Sequence, residues 1–496
     1  VARESSVLDR NDRPDLRVGP DLRRSVQPTR CGVPKEARSV CETSGDVVSI
    51  DELLSPAREV HVTPRIAFIG AGSVEFTKNL LGDILSFPEL ADAEIALHDI
   101  LDERLEAAEA IARWTNSALG GNATITSHRE RQAALEGADY VVNMVQVGMH
   151  AATVLDFEIP FRHGLRQTIG DTLGIGGIFR ALRTIPVMLG IAEDMHRECP
   201  EAWLLNYTNP MAMLCWAVYE GSPINRIVGL CHSVQHTTRR LAELVDVPFE
   251  EVTFLGAGIN HQSFILRFER DGQNLYPLLD DAIERDPELA RTVRVEMYRR
   301  LGYFPTESSE HGAEYLPWFM QHDEQVERFR LSVGEYVQRS EENLEEYERI
   351  RSALARGEGL EIERSLEYAS LIVHSMETGS ERVIYGNVRN DGLIDNLPDG
   401  CCVEVPCVVD RTGVRPTHVG TLPPQLAALN RTFANVCELT VRAALDGNPE
   451  HIYHAAMLDP NTAATLSLDE IAAVVDELRV AHGDALPEAL RPANVS

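Results

Sequence analysis

Three short stretches bring together residue types that bind metals and move protons. In GLCHSV (229 to 234) Cys231 and His232 follow an apolar run, and in GINHQ (258 to 262) His261 follows another. A thiolate and an imidazole at one sheet edge could hold a borderline divalent metal, leaving other positions open to substrate and water. The same pair could act as a cysteine nucleophile with a histidine base, and a free cysteine is also a common core residue. In NYTNPM (206 to 211) Asn209 precedes a proline after a further apolar run, a candidate contact for a polar substrate. A fourth stretch, RQTIGDTLGIGG (166 to 177), sets Asp171 among four glycines. It could hold a ligand or simply open the long amphipathic helix that follows.

A nucleotide signal lies upstream. RIAFIGAGSVEF (65 to 76) is an apolar strand running into Gly70-Ala71-Gly72-Ser73, with a helical pattern after it. Such glycines suit a tight turn and close approach to a pyrophosphate, whose charge a helix N-terminus would hold. Glu75 stands where a third glycine would complete the fingerprint. Asp99 ends the next strand, where an acid would accept the ribose hydroxyls and repel the 2′-phosphate of NADP, favouring NAD; it could equally cap the helix that begins near Leu101.

The elements that must position these residues alternate strand and helix from Pro64 onward, the pattern of a parallel sheet. Strands are expected at 65–70, 94–99, 139–146, 202–207 and 226–231, a hairpin at 252–272, charged helices at 287–378, strands at 386–413 and a helix at 423–447. The fold class is therefore α/β: a Rossmann-type parallel-sheet domain over 63–232, then a mixed α+β catalytic and oligomerisation domain over 233–496, with a disordered or extended segment at 1–62. Most candidate residues fall at carboxyl ends of strands, where open α/β sheets bind ligands.

Composition narrows the function. With 77 acidic against 46 basic residues the formal charge is −31, a field that repels nucleic acid and anionic membranes. Lysine occurs only at Lys35 and Lys78. Nine cysteines form no CxxC pair, which suits free thiols in a reducing cytoplasm. No apolar stretch approaches the roughly 20 residues that span a bilayer.

Taken in order, IGAGS, GDTLGIGG, ALRT, NYTNPM, GLCHSV, GINHQ and ESSEHGAEYLPWF (307 to 319) resemble glycoside hydrolase family 4 over about residues 63–480. The CHSV form looks most like the family's α-galactosidases of the melibiase type. The resemblance implies a domain arrangement like that of lactate and malate dehydrogenases, NAD and Mn²⁺ (or another divalent metal) as cofactors, and a homodimer or homotetramer. It implies hydrolysis of a small α-glycoside by oxidation at C3, elimination, water addition and re-reduction, chemistry that needs no flanking carboxylate pair. By the same resemblance Cys231 and His261 are metal ligands and Asn209 binds the sugar. Gly70, Gly72, Ser73, Asp99, Gln146 and Val147 serve the cofactor, and Asp171 meets the sugar. His232 is the acid for the leaving oxygen. Tyr315 is the first choice for the C2 base, ahead of His311 and Glu310, although Tyr315 could also form a packing pair with Trp318. A neutral α-galactoside is the expected substrate; the alternatives are an α-glucosidase or α-galacturonidase of this family, or a simple NAD-dependent 2-hydroxy acid dehydrogenase.

Overall fold

The computed structural model describes residues 63–362 and 364–492. The expected N-terminal segment at 1–62 lies outside the described residues. Among the described residues thirteen strands form one sheet: β1 (Arg65–Ile69), β2 (Glu94–His98), β3 (Thr124–His128), β4 (Tyr140–Asn143), β5 (Trp203–Asn206), β6 (Ile227–Leu230), β7 (Thr253–Ile259), β8 (Gln262–Arg270), β9 (Gln273–Asn274), β10 (Phe304–Pro305), β11 (Arg382–Arg389), β12 (Cys402–Asp410) and β13 (Gly413–Pro416). The main path runs β10-β8-β7-β12-β11-β6-β5-β4-β1-β2-β3, with β13 beside β12 and β9 beside β8.

From β3 to β6 the sheet is parallel throughout, in the doubly wound order 3-2-1-4-5-6. Its central strands are apolar runs because helices cover both faces: Ile66, Ala67 and Phe68 of β1, Val141 and Val142 of β4 and Leu204 and Leu205 of β5 are all fully buried. The edge strand β3 escapes the sequence pattern, since its TITSH buries only Ile125. Beyond β6 the pairing turns antiparallel, with Gly386 and Asn387 of β11 facing Leu230 and Gly229. The α/β class holds, a Rossmann-type half continuing into a mixed half.

One helix departs from the sequence expectation. Gly174–Glu198 is long and apolar enough, by length and composition, to cross a membrane. Yet most of it is buried in the protein, and its ions are paired there. Arg183 grips both oxygens of Asp156, at 2.6 and 3.1 Å, and Asp194 meets Arg131 and Arg197. An apolar helix with such internal pairs is a core helix.

At the seam between parallel and antiparallel halves, Gly229 has no room for a side chain. A Cβ there would stand 2.5 Å from Met211 Sδ and 2.9 Å from both Cys215 Sγ and Asn387 Cβ. Gly229→Ala is expected to lower stability by about 1–3 kcal/mol through overpacking. Gly190→Ala, where the Cβ would meet only Arg131 at 3.4 Å, should stay neutral or gain up to about 1 kcal/mol as a helical substitution. Urea unfolding reads both; an unchanged midpoint for Gly229→Ala contradicts the tight seam.

Candidate active site

The carboxyl ends of β1, β4, β5 and β6 and the β7–β8 turn carry most of the expected site residues. After β1, the Gly70 and Ala71 N–H groups both donate to His98 O, at 3.0 and 2.9 Å. Gly70 has φ +83°, and a Cβ on it would come within 3.0 Å of the Val145 backbone. A Cβ on Gly72 would fall 2.5 Å from both Asp99 Oδ2 and Arg104 Cβ. Both glycines are thus required by close approach. Asp99 itself accepts the N–H of Gly72 (2.9 Å) and of Leu101 (3.0 Å), so it braces the loop. Ser73 precedes the helix Val74–Leu85 and makes no side-chain cap bond. At the end of β4, Gln146 is exposed and Val147 half-buried, its carbonyl held by Arg183 Nε at 3.0 Å. A glycine turn feeding a helix N-terminus beside these residues fits a dinucleotide.

The second cluster is built around His261. It occupies the two-residue turn between β7 and β8 at φ +66°, a left-handed backbone that costs a non-glycine residue roughly 1–2 kcal/mol. Thr172 Oγ1 donates to Asp171 Oδ1 at 2.9 Å, so its oxygen is left to accept Nδ1–H of His261, also at 2.9 Å. That network assigns the tautomer, with Nε2 unprotonated. Glu307 Oε1 lies 3.6 Å from Nε2 and 3.8 Å from Cys231 Sγ. Two donors bound to one ion at about 2.0–2.3 Å stand roughly 3–4 Å apart, so thiol, imidazole and carboxylate fit a divalent metal. Close by, Asn209 Nδ2 donates to Asp171 Oδ2 at 2.9 Å, while Asn209 Oδ1 is buried without a partner. An orphaned acceptor of that kind suits a ligand hydroxyl.

His311 joins the two acids. Its Nδ1 is 3.3 Å from Glu307 Oε2 and its Nε2 3.6 Å from Asp171 Oδ1. Burial opposes its positive charge, but the two carboxylates outweigh that and push its pKa up to about 9. Burial likewise works against charge on Asp171 and Glu307, and the imidazoles beside them hold both well below the usual carboxylate range. Cys231 goes the other way: burial, then Glu307 and Glu404, push its thiol well up, so a bound cation must supply the drive to thiolate.

The structure brings five of the residues expected from sequence, Cys231, His261, Asn209, Asp171 and Tyr315, into this one cluster. Tyr315 is fully buried against Phe433, with its hydroxyl 3.3 Å from His261 Nδ1; Trp318 is half exposed. His232 follows Cys231 and pairs with Glu367, its Nδ1 3.1 Å from Oε1. Glu310 gives its carbonyl to Thr168 Oγ1. Three acids were assigned no role from sequence. Glu307 and Glu367 are two of these, and Glu314 accepts the N–H groups of Thr168, Ile169 and Gly170 at 2.8–3.0 Å, fixing the loop that carries Asp171. Glu307 stands just ahead of the short helix Ser309–Glu314 that carries His311, and their four-residue spacing was the signal that could have found the first.

Glu307→Gln keeps the shape and removes the charge. It is expected to weaken Mn²⁺ binding by about 10–100-fold in titration calorimetry while leaving NAD binding unchanged. An unaltered Mn²⁺ affinity removes Glu307 from the donor set.

Known proteins resemble this chain along most of its length. Residues 65–247 match the description "Family 4 glycosyl hydrolase" and residues 256–462 match "Family 4 glycosyl hydrolase C-terminal domain". An α-galactosidase of Bacillus subtilis is 45% identical over 432 residues, covering 86% of this chain and 99% of that protein. An α-galactosidase of Rhizobium meliloti is 36% identical, covering 86% and 89%. The fold is shared with a 6-phospho-α-glucosidase from gut microorganisms solved in complex with NAD and Mn²⁺, at TM-score 0.73 and 20% identity over 86% of this chain and 100% of that one. The chain, with its paired glycine-loop and His261 clusters, is a glycoside hydrolase and belongs to family 4.

Proposed function

We propose that this enzyme hydrolyses neutral α-galactosides and uses NAD and a divalent metal, Mn²⁺ foremost, as cofactors. The observation that carries the reading is the Cys231, His261 and Glu307 donor set standing beside the unpartnered oxygen of Asn209. Two α-galactosidase relatives support the sugar, and the glycine loop supports the dinucleotide. The acidic lining supports a neutral substrate. Asp171, Glu307 and Glu367 surround the site, while the buried Arg180 is bonded to Asn209 O and Tyr336 and the half-buried Arg294 to Pro305 and Thr306 carbonyls. A 6-phosphate or 6-carboxylate would add a further anion to that field.

When bound, NAD supplies a hydride acceptor for C3 and the metal a Lewis acid for the adjoining sugar oxygens. The chain does the rest. Asn209 Oδ1 accepts from a sugar hydroxyl, and Asp171 fixes the amide from behind through its 2.9 Å bond to Nδ2. Tyr315, buried against Phe433, is our assignment for the group that exchanges the C2 proton in a place shut from bulk water. His232, on the more open side, gives a proton to the departing oxygen.

The direct test is hydrolysis of 4-nitrophenyl α-galactoside, α-glucoside and α-galacturonide with NAD⁺ and Mn²⁺ each present or withheld. Release of galactose that needs both cofactors, with no net build-up of NADH, is expected. Accumulating NADH would identify a dehydrogenase, and preference for the galacturonide would overturn the neutral substrate. Cys231→Ser should lower Mn²⁺-dependent hydrolysis by on the order of 100-fold and leave NAD affinity as it is; full activity defeats the metal assignment. A substrate deuterated at C2 should exchange its label with solvent during turnover, and complete retention rules out proton abstraction there.

A further inference from the structure

His232 begins the helix Ser233–Leu244 from the N-cap position, yet its side chain makes no cap bond. The ring is instead held by a residue far along the chain. Glu367 Oε1 lies 3.1 Å from His232 Nδ1, with the carboxylate 11% exposed and the imidazole 49% exposed. The second oxygen, Glu367 Oε2, is buried with no hydrogen-bond partner, and the imidazole meets the carboxylate at the first. Glu367 is brought there by the NYTNPM segment: the Tyr207 hydroxyl accepts the N–H of Ala369 at 3.0 Å, tying the 367–369 stretch to the end of β5. Nδ1 is taken and half the ring is open, which leaves Nε2 as the nitrogen available to a bound molecule.

We propose that Glu367 is a positioning residue for departure of the leaving group, holding His232 by Nδ1 so that Nε2 meets the glycosidic oxygen. The inference rests on the reading of His232 as proton donor. As the C1–O bond breaks, its electron pair stays with the departing oxygen, which takes the Nε2 proton and leaves as an alcohol. When water adds, its hydroxyl goes to C1, its proton returns to Nε2, and C2 regains a proton from the base. Glu367 gains and loses nothing; it sets which nitrogen carries the transferable proton, the carboxylate–imidazole arrangement by which acid–base histidines are oriented.

Leaving-group dependence tests this on the cofactor-loaded enzyme. A dinitrophenolate needs no proton to depart, whereas an alkoxide does. Glu367→Gln is expected to lower kcat/KM, which reports the steps up to departure and not the later water addition, by about 10–100-fold for methyl α-galactoside and by less than about threefold for 2,4-dinitrophenyl α-galactoside. His232→Asn should show the same selectivity, and the double variant should be no worse than His232→Asn alone. Glu367→Asp, which keeps the charge but withdraws it by one methylene, is expected to give the same selective loss and stands in if the Gln variant fails to fold. Equal losses on both substrates, or additive losses in the double variant, overturn the proposal. If His232→Asn is selective and neither Glu367 variant is, the positioning role alone fails. If His232→Asn shows no selectivity, the proton-donor reading fails and this inference falls with it.

Discussion

Two carboxylates, the buried Asp171 and the partly buried Glu307, can share this site because His311 stands charged between them. Without that cation the pair would repel in a low-dielectric interior, and leaving an uncompensated buried charge costs on the order of 3–5 kcal/mol. The imidazolium therefore couples three separate parts of the chain. Asp171 comes from the glycine-rich loop, Glu307 and His311 from the ESSEHG segment, and through Thr172 the same loop sets the tautomer of His261 in the β7–β8 turn. Of these groups, His261 and Glu307 stand together with Cys231. The geometry of the donor set is thus a consequence of charge compensation among its neighbours.

The division of labour follows the sheet. Parallel strands β1 and β4 end in the loops that suit a dinucleotide, while β6 and the antiparallel hairpin β7–β8 supply Cys231 and His261. One uninterrupted sheet with its register set at the β6–β11 seam keeps the two sets of residues on a common edge. Rigid elements of this kind hold reacting groups more closely than loops alone, which matters for the proposed reaction, in which one carbon would regain the hydride it gave up.

Local pattern made much of this legible. The apolar runs of β1, β4, β5 and β6 and the punctuation that follows each placed Gly70, Asn209 and Cys231 at the carboxyl edge, because side-chain burial and turn chemistry are short-range properties. The β6–β11 pairing was not legible, since it joins residues far apart in sequence and leaves no periodic trace. β3 was missed because a polar edge strand buries too little to alternate clearly. The membrane-length helix Gly174–Glu198 was underrated because Arg180, Arg183 and Asp194 interrupt its apolar run, although all three are buried in the fold. Glu307 and Glu367 vanish among 77 acidic residues; only tertiary contact distinguishes a carboxylate facing His261 or His232 from one facing water.

The central claim is that thiol, imidazole and carboxylate from three segments form one metal centre. Anomalous diffraction at the manganese edge, from crystals grown with Mn²⁺ and NAD, tests it most directly. A single strong peak at about 2.0–2.4 Å from Cys231 Sγ, His261 Nε2 and a Glu307 oxygen is the expected result. A peak seated on Asp171 and His311 instead, or none near His261, would contradict the account.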